Sequence, residues 1–578
     1  MTTPKMAGMT PNMGGAMSFS PALGQSPSHL LNLKHRPSAF NSPDMAALGG
    51  VPQISMPGDE SKKKELGDIL KLLAMRPGRI SEEGVERLAK RMGLEIYKDG
   101  ANGVLTMSLA AKFFLLDIVF KDNKVLRVTL NFENTPGPSE ELAPLAASIF
   151  HANLSPSGVR APLINPSLAD FADNLERLTK ADRLSCPPSL NCFTAITGLY
   201  RSLEKIYNHE KESLEGGSVG AMCKGNGRPR MHVRKKVGLS IDYWREKRIH
   251  RGNEDKEDDN EEIWRVLVEV EEMPPDFTNM NPITPVRTSD HWVSDEIKKP
   301  IEDNLFGESE DMVTDWLEPP LDGILDMTDT NARPPPARFI ARLDPPVVVP
   351  FQNEIHLFAG LMLSPPPGLS VGALQEKLFP DAPSASGVQR RLYVPNNNPE
   401  EAEGGLRHEY RLHSLKPIFA RQILEVPFSH PKELPGIFSI LRQFAHVGAL
   451  LKSCFSPIAG IIPKMEYSAA PSEGEEMELD AFLADGNDMA DGVARPIPVD
   501  ISVTEGQNGA LTLGIIFPQK TGQGVVGCNF EVGRNADIRV TELSADDGKL
   551  GLDANGLEWA LAIGSDLGIV VEWLRRKS

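Results

Sequence analysis

The sequence predicts an α+β fold with mainly antiparallel sheets, and three observations carry that prediction. A capped helix runs into an alternating apolar hairpin over 79–132, short strand-like runs broken by proline and glycine dominate beyond Ala337, and one long apolar helix around 437–451 lies among them. A disordered amino-terminal tail and disordered acidic insertions complete the expectation.

In chain order, residues 1–60 are rich in Met, Pro, Ser and Gly without a period, a composition that cannot bury enough apolar surface to offset the entropy of ordering. Ser20, Ser26 and Ser42 each precede proline there and suit proline-directed kinases, although such pairs also arise by chance in a Ser/Pro-rich tail. A short helix is expected over Leu66, Ile69, Leu70 and Leu73, broken by Pro77 and Gly78. Next, Ser81 suits an N-cap, Glu82 and Glu83 suit the positive end of the helix dipole, and Val85, Leu88, Ala89 and Met92 recur at helical spacing before Gly93.

Phe114, Leu116, Ile118 and Phe120 alternate along one strand, and Leu126, Val128, Leu130 and Phe132 along the next. A two-residue loop at Asp122 and Asn123 sets Phe120 opposite Val125 and puts Ile118, Leu116 and Phe114 on the face of Arg127, Thr129 and Asn131. A three-residue loop through Lys124 pairs Phe120 with Leu126 and Phe114 with Phe132 and gathers all eight apolar side chains on one face, so the pattern predicts that register.

Three helical patterns follow at 139–153, 166–181 and 190–212, the last with a stripe of Phe193, Ile196, Tyr200, Leu203 and Tyr207 that ends before Gly216 and Gly217. Strands are expected at 237–244 and 263–270, joined through a charged, solvated tip at 245–262. Residues 273–336 and 471–492 alternate acid with scattered large apolar side chains and read as solvated insertions; docking segments are the competing reading. Strand-like runs cover 338–343, 347–351, 354–358, 498–503, 511–517 and 525–532. These boundaries give a tail (1–60), an α+β domain (61–272), an acidic insertion (273–336) and a second α+β region (337–578).

Bulk composition excludes several function classes. A net charge of −18 over 578 residues opposes phosphate-backbone binding by the chain as a whole. Five scattered cysteines without a CxxC pair indicate neither a disulfide framework nor a zinc site, and fit a reducing compartment. The first residues lack an apolar signal region, and no uncharged run reaches bilayer length, so the expectation is a soluble intracellular protein.

Two motifs suggest chemistry. Gly522, Gly524 and Gly527 spell GxGxxG, but a dinucleotide site needs those glycines to open a helix, and Val525, Val526, Cys528 and Phe530 read as a strand. A glycine-rich turn is therefore preferred over a nucleotide-binding enzyme. Cations cluster at Arg228, Arg230, Arg234, Lys235 and Lys236, then at Arg245, Lys247, Arg248 and Arg251, with Tyr243 and Trp244 placed to stack on bases. The acids at 254–262 neutralise much of that field. An internally compensated surface or partner contact is preferred over a nucleic-acid-binding module at 228–251, with a nuclear import signal as a further reading. His209 reads as a surface histidine and His446 as a core one.

The words RISEEGVERLAKRMGLE and FLLDIVFKDNKVLRVTLNF, together with LKPIFARQILEVPFSHPKELPGIFSILRQFAHVGALLKSCF, resemble the Mediator complex subunit 1 family in its fungal form. The resemblance implies a non-enzymatic coactivator subunit in the nucleus. It would lie in the middle module of Mediator, contacting other Mediator subunits and linking activators to RNA polymerase II, with no cofactor, metal, catalytic residue, membrane or direct sequence-specific nucleic-acid contact. Animal members carry LxxLL helices that dock on nuclear receptors; no LxxLL occurs here, so that activity is not transferred. For partner binding the sequence offers a terminal helix over 557–574, where Trp559, Leu567, Val571 and Leu574 lie on or beside an apolar stripe. Closure of the chain's own core by the same stripe is the preferred reading.

Overall fold

The computed structural model describes residues 64, 66–69, 76–132, 138–155, 167–185, 190–246, 263–272, 286, 289–303, 307–319, 337–361, 363, 365, 370–380, 386–392, 406–414, 416–455, 496–506, 509–520, 524–545 and 554–577. The chain divides into two compact units, Met1–Leu73 and Ala74–Ser578. In the first, residues 66–69 are helical, as the pattern at Leu66 and Ile69 predicts. The tail at 1–60 and its Ser-Pro pairs lie outside the described residues.

The second unit is α+β. Helix α1 (Glu82–Met92) starts where the Ser81 hydroxyl accepts from the Gly84 N–H at 3.0 Å, and it stops at Gly93, whose φ of 79° is readily reached without a Cβ. Strands β1 (Glu95–Ala101), β2 (Val104–Ala110), β3 (Phe114–Lys121) and β4 (Lys124–Phe132) then form a four-stranded antiparallel sheet in chain order.

The β3–β4 register corrects the sequence expectation at the turn. Phe120 stands opposite Val125, not Leu126, because Asp122 and Asn123 take positive φ (49° and 60°) and make the two-residue turn that matches strand twist. A bulge then inserts Leu126, which is 53% exposed, and restores the apolar pairs Ile118–Val128, Leu116–Leu130 and Phe114–Phe132. Turn chemistry and side-chain pattern are both satisfied at the expense of one displaced leucine.

Helices α2 (Pro138–Leu154), α3 (Ala169–Leu184), α4 (Cys192–Ser213) and α5 (Gly217–Cys223) follow. The buried side of α4 is rotated from the expected stripe: Ala195, Leu199, Leu203 and Ile206 are fully inside, whereas Ile196, Tyr200 and Tyr207 are half-buried. Both tyrosine hydroxyls reach polar partners at the edge of solvent, Tyr200 with Glu204 at 2.5 Å and Tyr207 with Ser218 at 2.8 Å.

Strands β5 (Arg228–Val233), β6 (Lys236–Arg245), β7 (Ile263–Glu272), β8 (Val293–Asp303), β9 (Gly307–Trp316) and β10 (Ala337–Pro350) come next, then helix α6 (Phe351–Gly360), strand β11 (Gly372–Ala373), helix α7 (Leu374–Leu378), and strands β12 (Ser386–Leu392), β13 (Leu406–His413) and β14 (Phe419–Phe428). Helix α8 (Leu434–Phe455) precedes β15 (Ile497–Glu505), β16 (Leu511–Pro518), β17 (Val525–Val532), β18 (Ile538–Ala545), α9 (Ala554–Gly564) and α10 (Leu567–Arg575). A central six-stranded sheet has the order β11-β14-β10-β7-β6-β5, and a second the order β12-β13-β15-β16-β17-β18, with β13 and β15 parallel.

Four further expectations change. The boundary at 273–336 does not divide the fold, because β7 on one side pairs with β10 on the other, Ala337 opposite Glu272. Within that stretch β8 and β9 form a ribbon, and Trp292 is fully buried against the His430 ring. The runs at 338–343 and 347–351 are one strand, β10, with an irregularity between Arg342 and Val347. The run at 354–358 is helix α6: its inward side carries polar Asn353 and Glu354, held by Gly509 and Arg421, so hydrophobicity alone hides its period.

Helix α8 connects the two large sheets. Phe438 stacks on Tyr243 of the central sheet, and Gln443 donates to the carbonyls of Gly509 and Val532 beside the other. Length and composition alone would let 431–455 cross a membrane, yet Arg442, Gln443 and His446 sit buried at its middle, which marks a core helix.

Candidate functional site

The basic run folds into an ion ladder. Asp344 on β10 stands opposite Arg265 on β7, Arg265 opposite Asp242 on β6, and Asp242 opposite Arg228 on β5. Asp242 is fully buried, with Arg230 Nη2 at 2.6 Å, Arg228 Nη2 at 3.2 Å and Arg265 Nε at 3.9 Å. Burial pulls Arg265 below the ordinary arginine range while Asp242 pulls it back up. Arg228 and Arg230 are thus compensated within the sheet, and Lys236 Nζ lies 3.7 Å from Asp173; Lys247, Arg248, Arg251 and the acids at 254–262 lie outside the described residues. Tyr243 and Trp244 do not reach bases. Both are buried, Tyr243 on Phe438 and Trp244 edge-on to Trp264 and His446, because the strand turns them towards α8.

Sequence reasoning missed the residue that ties these elements together. The Arg442 guanidinium is 1% exposed and donates to the carbonyls of Tyr243 (2.9 Å), Met222 (3.0 Å) and Gly225 (2.6 Å) and to Asn535 Oδ1 (2.9 Å). Burial pushes its pKa down to about 10. Gly225 is required beside it, since a Cβ there would stand 2.2 Å from Glu210 Oε2. Glu210 in turn accepts from the Asn226 backbone at 2.8 Å and side chain at 2.5 Å. A lone arginine amid the apolar residues of α8 was the available signal.

The glycine loop does not open a helix. Gly527 lies within β17, the next strand after Gly524, and Gln519 N–H donates to the Gly524 carbonyl at 2.9 Å across the hairpin; Gly522 is outside the described residues. A cavity of about 60 Å³ between α3, α4 and β5–β7 holds His232, whose Nδ1 accepts from Gly238 N–H at 3.1 Å and whose pKa burial lowers to about 4. It is smaller than cavities of about 150 Å³ that admit benzene, and so is no cofactor pocket. Among the described residues no group of His, Cys, Asp and Glu has the makings of a metal site, and Cys192, Cys223, Cys454 and Cys528 are buried and outside any disulfide, with Cys528 pushed up to about 12 by burial.

The expected terminal helix is two, broken where Ser565 takes φ 44° and Asp566 caps α10 by accepting from the Gly568 and Ile569 N–H groups. Leu567, Val571 and Leu574 are fully buried, and Leu567 N–H donates to Ser453 of α8 at 3.1 Å. The structure therefore leaves Trp559, 63% exposed, as the one member of that group on the surface. Glu572 of α10 also meets His408 of β13 at 2.7 Å and Arg575 at 2.8 Å. Burial pushes its carboxyl up, and the hydrogen bonds from His408 and Arg575, together with the Arg575 charge, more than reverse that.

The family model for Mediator of RNA polymerase II transcription subunit 1 matches residues 67–456, which run from the first unit through α8. A protein of Schizosaccharomyces pombe described by the same words is 25% identical over 382 residues, covering 65% of this chain and 70% of the relative.

Proposed function

The chain belongs to the Mediator of RNA polymerase II transcription subunit 1 family, and on that premise we propose that it acts in the middle module of Mediator as a scaffold that links transcription activators to RNA polymerase II. It is a Mediator subunit, and its function is transcriptional coregulation in association with other subunits. The observation that supports a scaffold best is the position of α8, whose side chains bond both large sheets and so hold surfaces contributed by distant parts of the chain in one geometry. On this reading the chain itself performs no chemistry and works in the nucleus by binding. The two rivals lose their particular supports: the aromatic residues of the basic run are buried, and the glycine loop leads into a strand.

Purification of the tagged full chain from nuclear extract, with partners identified by mass spectrometry, tests the reading. Middle-module subunits should be enriched above those of other modules. Recovery without Mediator subunits would overturn the proposal.

A further inference from the structure

Strand β4 forms one edge of the four-stranded sheet, and its backbone between Leu126 and Asn131 is bonded to β3 alone among the described residues. Alternate N–H and C=O groups of that edge therefore point outward. The opposite edge, β1, is guarded in the usual way by exposed Glu95, Lys98 and Asp99. Beyond its bulge, β4 has neither proline nor carboxylate.

Along the open edge runs a groove of about 460 Å³, within the range of about 300–1,000 Å³ typical of ligand clefts. Residues 126–131 form one wall. The other is the face of α2 at Pro144, Ala147, Ser148 and His151, spaced i, i+3, i+4 and i+7. Three of these four side chains are small, which leaves room beside the edge. Arg127, exposed, has no ion-pair partner among the described residues, and the His151 ring makes no hydrogen bond among them. No carboxylate lines the groove; Asp117 stands one strand in, opposite Thr129.

We propose that this groove receives an extended, acidic segment of another polypeptide as a fifth strand. Its backbone pairs with β4, alternate side chains rest on the small residues of α2, and the intervening carboxylates face Arg127. Main-chain pairing supplies affinity and the alternation of side chains supplies selectivity.

The full chain is titrated against a fluorescein-labelled hexapeptide of alternating valine and glutamate, followed by anisotropy, with amide exchange measured at 126–131. The expected result is saturable binding that slows exchange at those amides. Affinity should fall about tenfold or more when lysine replaces glutamate or proline replaces the central valine. Ser148→Trp should abolish binding by filling the groove, and Arg127→Glu should reverse the preference in favour of the lysine peptide. This charge swap remains decisive if Ser148→Trp fails to fold. Absence of binding, indifference to the peptide's charge, or retention of affinity in well-folded Ser148→Trp would overturn the proposal. So would exchange at 126–131 that is already slow in the free chain and speeds up on deletion of 471–492, since the chain's own acidic residues would then cover the edge.

Discussion

Arg442 Nε donates to the carbonyl of Tyr243 at 2.9 Å, joining two residues far apart in sequence at the centre of the core. Arg442→Met should leave the acceptors of Tyr243, Met222 and Gly225 unpaired and lower unfolding free energy by about 3 kcal/mol, read as a fall in the urea midpoint. Arg442→Lys should also destabilise, because an ammonium cannot reproduce the planar set of donors. An unchanged midpoint in both would remove Arg442 as a structural tie.

The bulge at Leu126 separates two neighbouring positions sharply. Val128→Asp places a charge in the amino-terminal core and should cost about 3 kcal/mol or more, whereas Leu126→Asp should change stability by less than about 0.5 kcal/mol. Equal thermal shifts in the two variants would contradict the observed register.

His232 gives a pH dependence with a defined sign. Its folded pKa of about 4 lies below the ordinary histidine value of 6.5, so the unfolded chain binds the proton more readily. The stability it contributes is present above pH 6.5 and is lost as pH falls towards 4, on the order of 3 kcal/mol. His232→Gln should flatten that part of the curve in melts taken from pH 7 to pH 4; an unaltered slope would show that other groups govern it.

The terminal helices offer a contrast between surface and core. Val571→Asp, and deletion of 557–578, should lower the melting temperature markedly, since α10 closes against α8. Trp559→Ser should leave melting unchanged. A cooperative, unshifted melt of the truncated chain would instead show α9 and α10 to be a detachable docking element.

Neither ATP nor NAD should raise the melting temperature. A ligand bound only to the native state stabilises it by mass action, and a saturable shift abolished by Gly524→Val would restore the nucleotide reading of that loop.

Local rules made much of the fold legible. Ser81 and Gly93 mark α1 because capping chemistry is local, and α8 announces itself by its apolar length. What escaped was decided by distant partners. The sequence pattern divides strand β10 in two because Pro345 and Pro346 interrupt it, and it gives α6 the look of a strand because its inward side carries Asn353 and Glu354. Strands β1, β2, β5, β8, β9, β11, β12, β13, β14 and β18 have no counterpart in the sequence pattern, several of them being charged and open to solvent. Of the proposed partner residues, only Trp559 could be sorted from core by burial, a property that no spacing in α9 and α10 encodes. The open edge of β4 was invisible for the same reason: an edge is defined by the absence of a neighbour.

The antiparallel pairing of Arg245 with Ile263 makes the chain between them a closed circuit whose two ends are fixed side by side. Closing such a circuit costs free energy that grows only with the logarithm of its length, about 0.6 kcal/mol for each doubling. A flexible insertion between Arg245 and Ile263 therefore adds little to the cost of closure, and a folded reporter spliced in there should leave β6 and β7 paired.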